Sequence, residues 1–244
     1  MAFRDGTGIL AVSDVHSPRY LSLFVDAVNK ASASGADYCL LIFAGDMILR
    51  GREEMLEPVL RTVNERMPGV RVVAVFGNEE YEDIRDSLRR RYKEITWLDD
   101  EYTVVECRGE SYAIVGTTGA LDRPTTWQRR HKPYLQRVYS ERPGVIARLL
   151  KEAKSNAEKV ILVSHYVLAK ANLKGENPIA WPEMYSSAME RVVAETKPDA
   201  AIHGHAHNGS KFTLVAGVPV YNVSIPLRKS LTEIKFRRGL DAFF

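Results

Sequence analysis

Two residue types are scarce in this chain of 244 residues, and their scarcity sets limits. Only two cysteines occur, Cys39 and Cys107, both in runs with the texture of strands, Tyr38–Ile42 and Tyr102–Cys107. Their number excludes a disulfide-rich scaffold. They read as buried small hydrophobes without a bridge, which fits a reducing compartment. Glutamine is confined to Gln128 and Gln136 while arginine is frequent, a composition that points to a thermophilic source. Charge of one sign is also in short supply. The formal net charge is +3, so nothing demands a nucleic-acid partner. No apolar run is long enough to span a bilayer, which excludes a helical membrane protein. The start, Met1–Gly6, lacks a basic segment followed by an apolar one, the pattern of a secretory signal, and the expected location is the cytoplasm.

What is present is an ordinary globular composition, 45% apolar and 27% charged, enough to bury a sizeable core. Short apolar runs alternate with amphipathic ones. Gly8–Ser13, Tyr38–Ala44 and Val70–Phe76 read as strands. Between and after them, 18–32, 53–66 and 81–91 read as helices, the second ended by Pro68-Gly69. A βαβαβ order implies parallel strands with helical crossovers. Then Tyr102–Cys107 and Ser111–Val115 flank the turn Arg108-Gly109-Glu110 and predict an antiparallel hairpin. A polar, helical stretch runs from 125 to 156. Lys159–Ser164 and Ala200–His203 read as buried strands, 182–195 as a helix, and 211–215, 218–223 and 231–236 as closing strands. No linker or repeat breaks the chain, and the expectation is one α/β domain over 1–244.

The chemistry sits just beyond the strands. Ser13-Asp14-Val15-His16 follows the first, Gly45-Asp46 the second and Gly77-Asn78-Glu79-Glu80 the third. His165 follows Lys159–Ser164, and His203-Gly204-His205-Ala206-His207 closes Ala200–His203. In open α/β sheets, functional groups gather at the carboxyl ends of strands. Asp14, Asp46 and Asn78 are spaced by 32 positions each, about one βαβ unit, so parallel neighbours bring them to one rim. A convergent set of carboxylate, carboxamide and imidazole suits Mn, Fe, Zn or Ni better than Ca. His203 reads as a core or supporting residue rather than a ligand.

Asp14-x-His16, Gly45-Asp46, Gly77-Asn78, His165 and Gly204-His205-x-His207, in this order, resemble the motifs of the calcineurin-like metallophosphoesterases. The resemblance implies a four-layer α/β/β/α sandwich of two mixed β-sheets flanked by helices. It also implies two divalent metal ions, Mn2+ first, with Zn2+, Fe2+ or Fe3+ and Ni2+ as alternatives. Asp14, His16 and His207 would hold one metal, Asn78, His165 and His205 the other, and Asp46 would bridge them. The implied activity is hydrolysis of a phosphate ester by a hydroxide that two metals activate, with Asp46, Asn78, Glu79 and His165 as catalytic residues. A small phosphodiester or nucleotide-type substrate is favoured over nucleic acid. The alternatives are a scaffold of the same fold without turnover, or a nuclease.

One position departs from the family pattern. Glu79 stands where a histidine that donates a proton to the leaving group is expected. An ionised carboxylate repels phosphate and has no proton to give. Three readings follow: a slow enzyme or one that relies on good leaving groups; another proton donor, with His131 the unassigned histidine besides His203; or a substrate other than a simple phosphomonoester, in which Glu79 disfavours doubly charged monoesters and tilts preference towards diesters. Two stretches read equally as packed helix or as substrate walls: 116–143, with Trp127, Arg129, Arg130, His131, Lys132 and Tyr134, and the pair Trp181 and Tyr185. The basic run Arg85 to Lys93 reads as a wet helix face. No motif bears on oligomeric state.

Overall fold

The computed structural model describes residues 7–236. The start at Met1–Gly6, and the parts of the expected 1–244 domain before 7 and after 236, lie outside the described residues. Eleven strands form two sheets. The first carries β11 (Thr232–Glu233), β1 (Ile9–Val12), β2 (Leu40–Ala44), β3 (Arg71–Val75) and β4 (Ile95–Leu98), in that spatial order. The second carries β5 (Glu101–Cys107), β6 (Glu110–Thr117), β7 (Lys159–Ser164), β8 (Ala200–His203), β10 (Val218–Asn222) and β9 (Phe212–Val215). Both sheets are mixed. Strands β1 to β4 run parallel with β11 antiparallel, and β6, β7, β8 and β10 run parallel between antiparallel β5 and β9.

The strands are apolar on both faces because each face meets another layer. Ile9, Ala11, Leu40, Ile42, Val73 and Val75 pack against Tyr112, Ile114, Ile161, Val163, Ala200 and Ile202, sheet on sheet. The alternate residues Leu10, Val12, Leu41, Phe43, Val72 and Ala74 pack under α1 (Leu21–Ala33), α2 (Glu57–Arg66) and α3 (Arg85–Arg91). On the far side, Ala113, Val115, Val160 and Leu162 meet α5 (Leu135–Ala153) and α6 (Ser187–Thr196). The order of layers is α/β/β/α. Two short helices, α4 (Thr126–His131) and α7 (Ile225–Arg228), complete the set.

Four sequence expectations are corrected. Strand β4 was missing from the reading, because Ile95–Leu98 is four residues long and is held in place by Val72–Val75 rather than by any local signal. The helix expected over 182–195 is a 3-10 turn, Trp181–Glu183, followed by α6, which begins only at Ser187, where Ser186 Oγ caps the Met189 N–H. Of the strand expected over 231–236, only Thr232 and Glu233 pair, with β1. The two cysteines are joined as a disulfide, with Cα atoms 5.7 Å apart. It links the residue before β2 to the last of β5, so it ties one sheet to the other. The ground for inferring a reducing compartment from unpaired cysteines is thereby removed.

Candidate metal centre

All seven predicted ligand positions lie just past strands at one edge of the sandwich. Asp14, His16, Asp46 and His205 have positive φ, 59°, 41°, 53° and 69°. Such backbone costs about 1–3 kcal/mol per residue and persists where its surroundings enforce it. Here the enforcement is visible. Asp14 N–H donates to the Gly45 carbonyl at 3.0 Å and His16 N–H to the Asp46 carbonyl at 2.9 Å, stitching the first loop to the second. Gly77 and Gly204 admit the close approach: a Cβ at Gly77 would lie 2.1 Å from Asp46 Oδ1, and one at Gly204 would lie 2.4 Å from Ser13 Oγ.

Two groups of ligand atoms result, Asp14 with His16 and His207, and Asp46 with His165 and His205, each set within 4.8 Å. His207 Nε2 is 3.1 Å from Asp14 Oδ1 and His165 Nε2 is 3.3 Å from Asp46 Oδ2. Asp46 Oδ2 also lies 3.8 Å from His16 Nε2, so this carboxylate stands between the groups. Asn78 Oδ1 is 3.1 Å from His165 Nε2 and joins the second group. His165 Nδ1 lies 3.1 Å from the Ala44 carbonyl and can only donate to it, which leaves Nε2 with its lone pair facing the cluster when the ring is neutral.

The electrostatics fit a cation pair. Asp14 and Asp46 are both buried, and isolated buried carboxylates are costly unless countercharge is near. Burial raises the Asp14 pKa, but the His207 hydrogen bond and the charges of His165, His207 and His16 outweigh it and hold the group ionised. Burial likewise opposes ionisation of Asp46, and His165 overcomes it. Burial lowers the His165 pKa, yet Asp46 carries it up to about 9, while burial pushes His205 down to about 3. Two buried carboxylates thus draw positive charge onto adjacent imidazoles, and divalent cations at the same place would supply that charge instead. The donors fit two borderline metal ions.

Glu80 is the residue that sequence reasoning missed. Its buried carboxylate accepts the N–H groups of Gly77 at 2.7 Å, Asp46 and Met47 at 2.8 Å, and Ile48 at 3.1 Å. It therefore fixes the loop that carries Asp46 to the loop that carries Asn78. Burial, and next the charge of Asp46, push its pKa up to about 7, against the pull of the Gly77 and Ile48 N–H groups. The only available signal was an acid two positions after Asn78, and it was masked by the neighbouring Glu79.

Glu79 is placed otherwise than a proton donor. Its carboxylate accepts the Arg50 N–H at 2.5 Å, its own N–H donates to Asp46 Oδ1 at 2.8 Å, and its carbonyl accepts the Gly51 N–H at 2.9 Å. His131 is exposed, with Nδ1 2.9 Å from the Trp127 carbonyl and its ring stacked on Trp127. His203 is fully buried and contacts the Gly204 carbonyl through Nδ1, outside both ligand groups. Arg85 is not on a wet face: it pairs with Asp99 at 2.9 Å and covers the Phe76 ring. Trp127 and Tyr134 line a cavity of about 1120 Å³ that reaches Asn78 and His205, whereas Trp181 and Tyr185 pack into a small core with Val167 and Leu173.

The family model for calcineurin-like phosphoesterases matches residues 7–209. No curated protein matches the sequence. Among solved structures, phosphopantetheinyl hydrolase (PptH) of Mycobacterium tuberculosis is similar, with a TM-score of 0.64 at 18% identity over 91% of this chain and 90% of that one. GAP50 of Plasmodium, the anchor in the inner membrane complex, is similar with a TM-score of 0.58 at 9% identity over 89% of this chain and 71% of that one. At such identities the likeness is one of fold. No helix among the described residues is long and apolar enough to cross a membrane.

Proposed function

The chain belongs to the calcineurin-like phosphoesterase family, and from that premise we propose that it is a hydrolase of phosphate esters dependent on two divalent metals, with small phosphodiesters or nucleotide-type molecules as substrates. The observation that carries this reading is the pair of three-residue ligand groups, of which the second contributes a carboxylate, Asp46, that also lies 3.8 Å from His16 of the first. Asp14, His16 and His207 would hold one metal, Asn78, His165 and His205 the other, with Asp46 between them. Two such ions, when bound, lower the pKa of water towards neutrality and take up charge that develops on phosphoryl oxygens.

The protein's own contribution is to hold these ligands still. Ser13 Oγ donates to Asp14 Oδ2 at 2.5 Å and the His205 N–H to the same oxygen at 3.0 Å, which leaves Oδ1 for the metal side. Glu79 N–H occupies Asp46 Oδ1. Asn78 is a neutral ligand, so one negative charge is kept off the metals. The Glu79 carboxylate is engaged by the Arg50 N–H and the exposed His131 stacks on Trp127, which supports a reading in which neither protonates the leaving group and esters whose alcohol leaves readily are favoured; the Glu79 charge next to the centre supports a preference for singly charged diesters. Mn2+ is the metal we favour on the family resemblance; the mixed N and O donor set suits Zn, Fe and Ni as well.

The test is to load purified protein separately with Mn, Zn, Ni or Fe and assay aryl phosphate monoesters and diesters beside Asp46→Asn. The expected result is hydrolysis with a diester preference, and a loss of roughly a thousandfold in Asp46→Asn together with less than two bound metals. Two bound metals and no turnover on either ester would overturn the hydrolase and favour a scaffold.

A further inference from the structure

The cavity beside the Asn78 and His205 side of the metal centre is large and carries its own chemistry. Its 1120 Å³ matches or exceeds the usual size of a small-molecule site. Seven large hydrophobic side chains are strongly exposed among the described residues, and three of them line this one cavity: Tyr81 at 43%, Trp127 at 58% and Tyr134 at 50%. Exposed apolar surface gathered at the mouth of a concavity marks a binding site more often than a random surface does.

The charges there are matched. Each of the three Lys or Arg side chains on the lining is paired with a carboxylate: Arg85 with Asp99 at 2.9 Å, Lys132 with Glu82 at 2.9 Å and Arg142 with Asp100 at 2.8 Å. Glu82 also accepts from Tyr134 Oη at 2.5 Å, so it joins the turn before α3 to the segment after α4. A second phosphate entering this space would meet cations already in use and carboxylates beside them. Deeper in, Gln128 Nε2 meets the Tyr139 and Tyr166 hydroxyls at 3.0 and 3.4 Å, and the buried Thr118 Oγ1 on the wall has no partner.

We propose that this cavity receives the organic group esterified to phosphate and selects one that ends in a flat, uncharged ring, as in a phosphodiester that joins one nucleoside to a second alcohol. Trp127 and Tyr134 supply stacking faces, and the matched charges reject additional phosphates. The proposal rests on the reading of the chain as a phosphoester hydrolase and specifies its substrate class.

Three p-nitrophenyl esters test it on the metal-loaded protein: methyl p-nitrophenyl phosphate, thymidine 5′-monophosphate p-nitrophenyl ester, and the same nucleoside ester with a 3′-phosphate. Stacking of one base on an aromatic side chain is worth about tenfold or more in affinity. The nucleoside ester should therefore show a KM about tenfold below that of the methyl ester, and the added 3′-phosphate should raise it again. Trp127→Ala should raise the KM of the nucleoside ester about tenfold more than that of the methyl ester, with little change in kcat, and Trp127→Phe should restore it. Equal KM values for the first two esters, or an unchanged ratio in Trp127→Ala, would overturn the pocket. Equilibrium dialysis of labelled thymidine, which has no phosphate, reads the pocket without turnover. Binding weakened about tenfold by Trp127→Ala supports it even when all three esters resist hydrolysis, in which case the hydrolase reading falls alone; absence of binding to the wild type overturns it.

Discussion

Asp14 and Asp46 are 0 and 2% exposed and are surrounded by histidines, whereas Trp127 and Tyr134, at the cavity next to them, are 58 and 50% exposed and stand on a short helix and a turn. The metal centre is made of strand-end residues in strained backbone, fixed by hydrogen bonds from loops 32 and more positions apart. The cavity wall is made of side chains over α3, α4 and α5, held by single ion pairs and one capping box at Thr125 and Gln128. One region spends stability to hold a fixed geometry. The other costs little and is free to vary with substrate. Changes in the centre should therefore damage folding and metal content together, and changes in the wall should touch neither.

The largest effect is expected from Glu80→Ala. It strips four buried N–H groups of their acceptor, and each buried donor left unsatisfied costs about 1–3 kcal/mol, with water recovering part. A loss of about 3 kcal/mol or more in denaturant unfolding is expected, together with fewer than two bound metals by elemental analysis. Normal metal content in a destabilised variant would show that the loops carrying Asp46 and Asn78 do not need this anchor, and the contrast would lose its strongest support.

A cross-link at Cys39 and Cys107 acts on neither region. It closes a sequence separation of 68 residues, which in the chain-entropy account is worth about 4 kcal/mol. Cys39→Ser should lower Tm with two metals still bound, and reductant added to the wild type should reproduce the shift. Loss of metal from the variant would mean that the sheet-to-sheet tie and the centre are coupled.

The same contrast explains what the sequence disclosed. That Asp14, His16, Asp46, Asn78, His165, His205 and His207 gather at one edge was legible because polar side chains follow buried apolar runs, and because parallel strands convert regular spacing into adjacency. Strand β4 was illegible because Ile95–Leu98 is too short for a period and owes its place to β3. Glu80 was illegible because its partners at 46–48 are distant in sequence and are backbone atoms, which leave no mark on residue type. The disulfide was illegible because two cysteines in separate strands carry no sign of the sheet packing that brings them together. In the wall, the aromatic and basic residues from 125 to 134 could be seen, but not that the Lys132 charge is taken up by Glu82, 50 positions before it, and that of Arg129 by Glu183.

Tyr134→Phe should give the smallest effect and the sharpest test of independence. The substitution keeps the ring that lines the cavity and removes only the O–H that bonds Glu82; that bond, the largest cause, raises the tyrosine pKa to about 12. Glu82 retains Lys132 at 2.9 Å, and both partners of the lost bond are well exposed, so water replaces it. Changes at such sites normally stay within about 0.5 kcal/mol. Thermal unfolding within that margin, with two metals bound, is the expected outcome. A substantial fall in stability would mean that the Glu82 contacts brace the α3 and α5 sides of the molecule. The wall would then be part of the same rigid frame as the metal centre rather than a surface free to vary beside it.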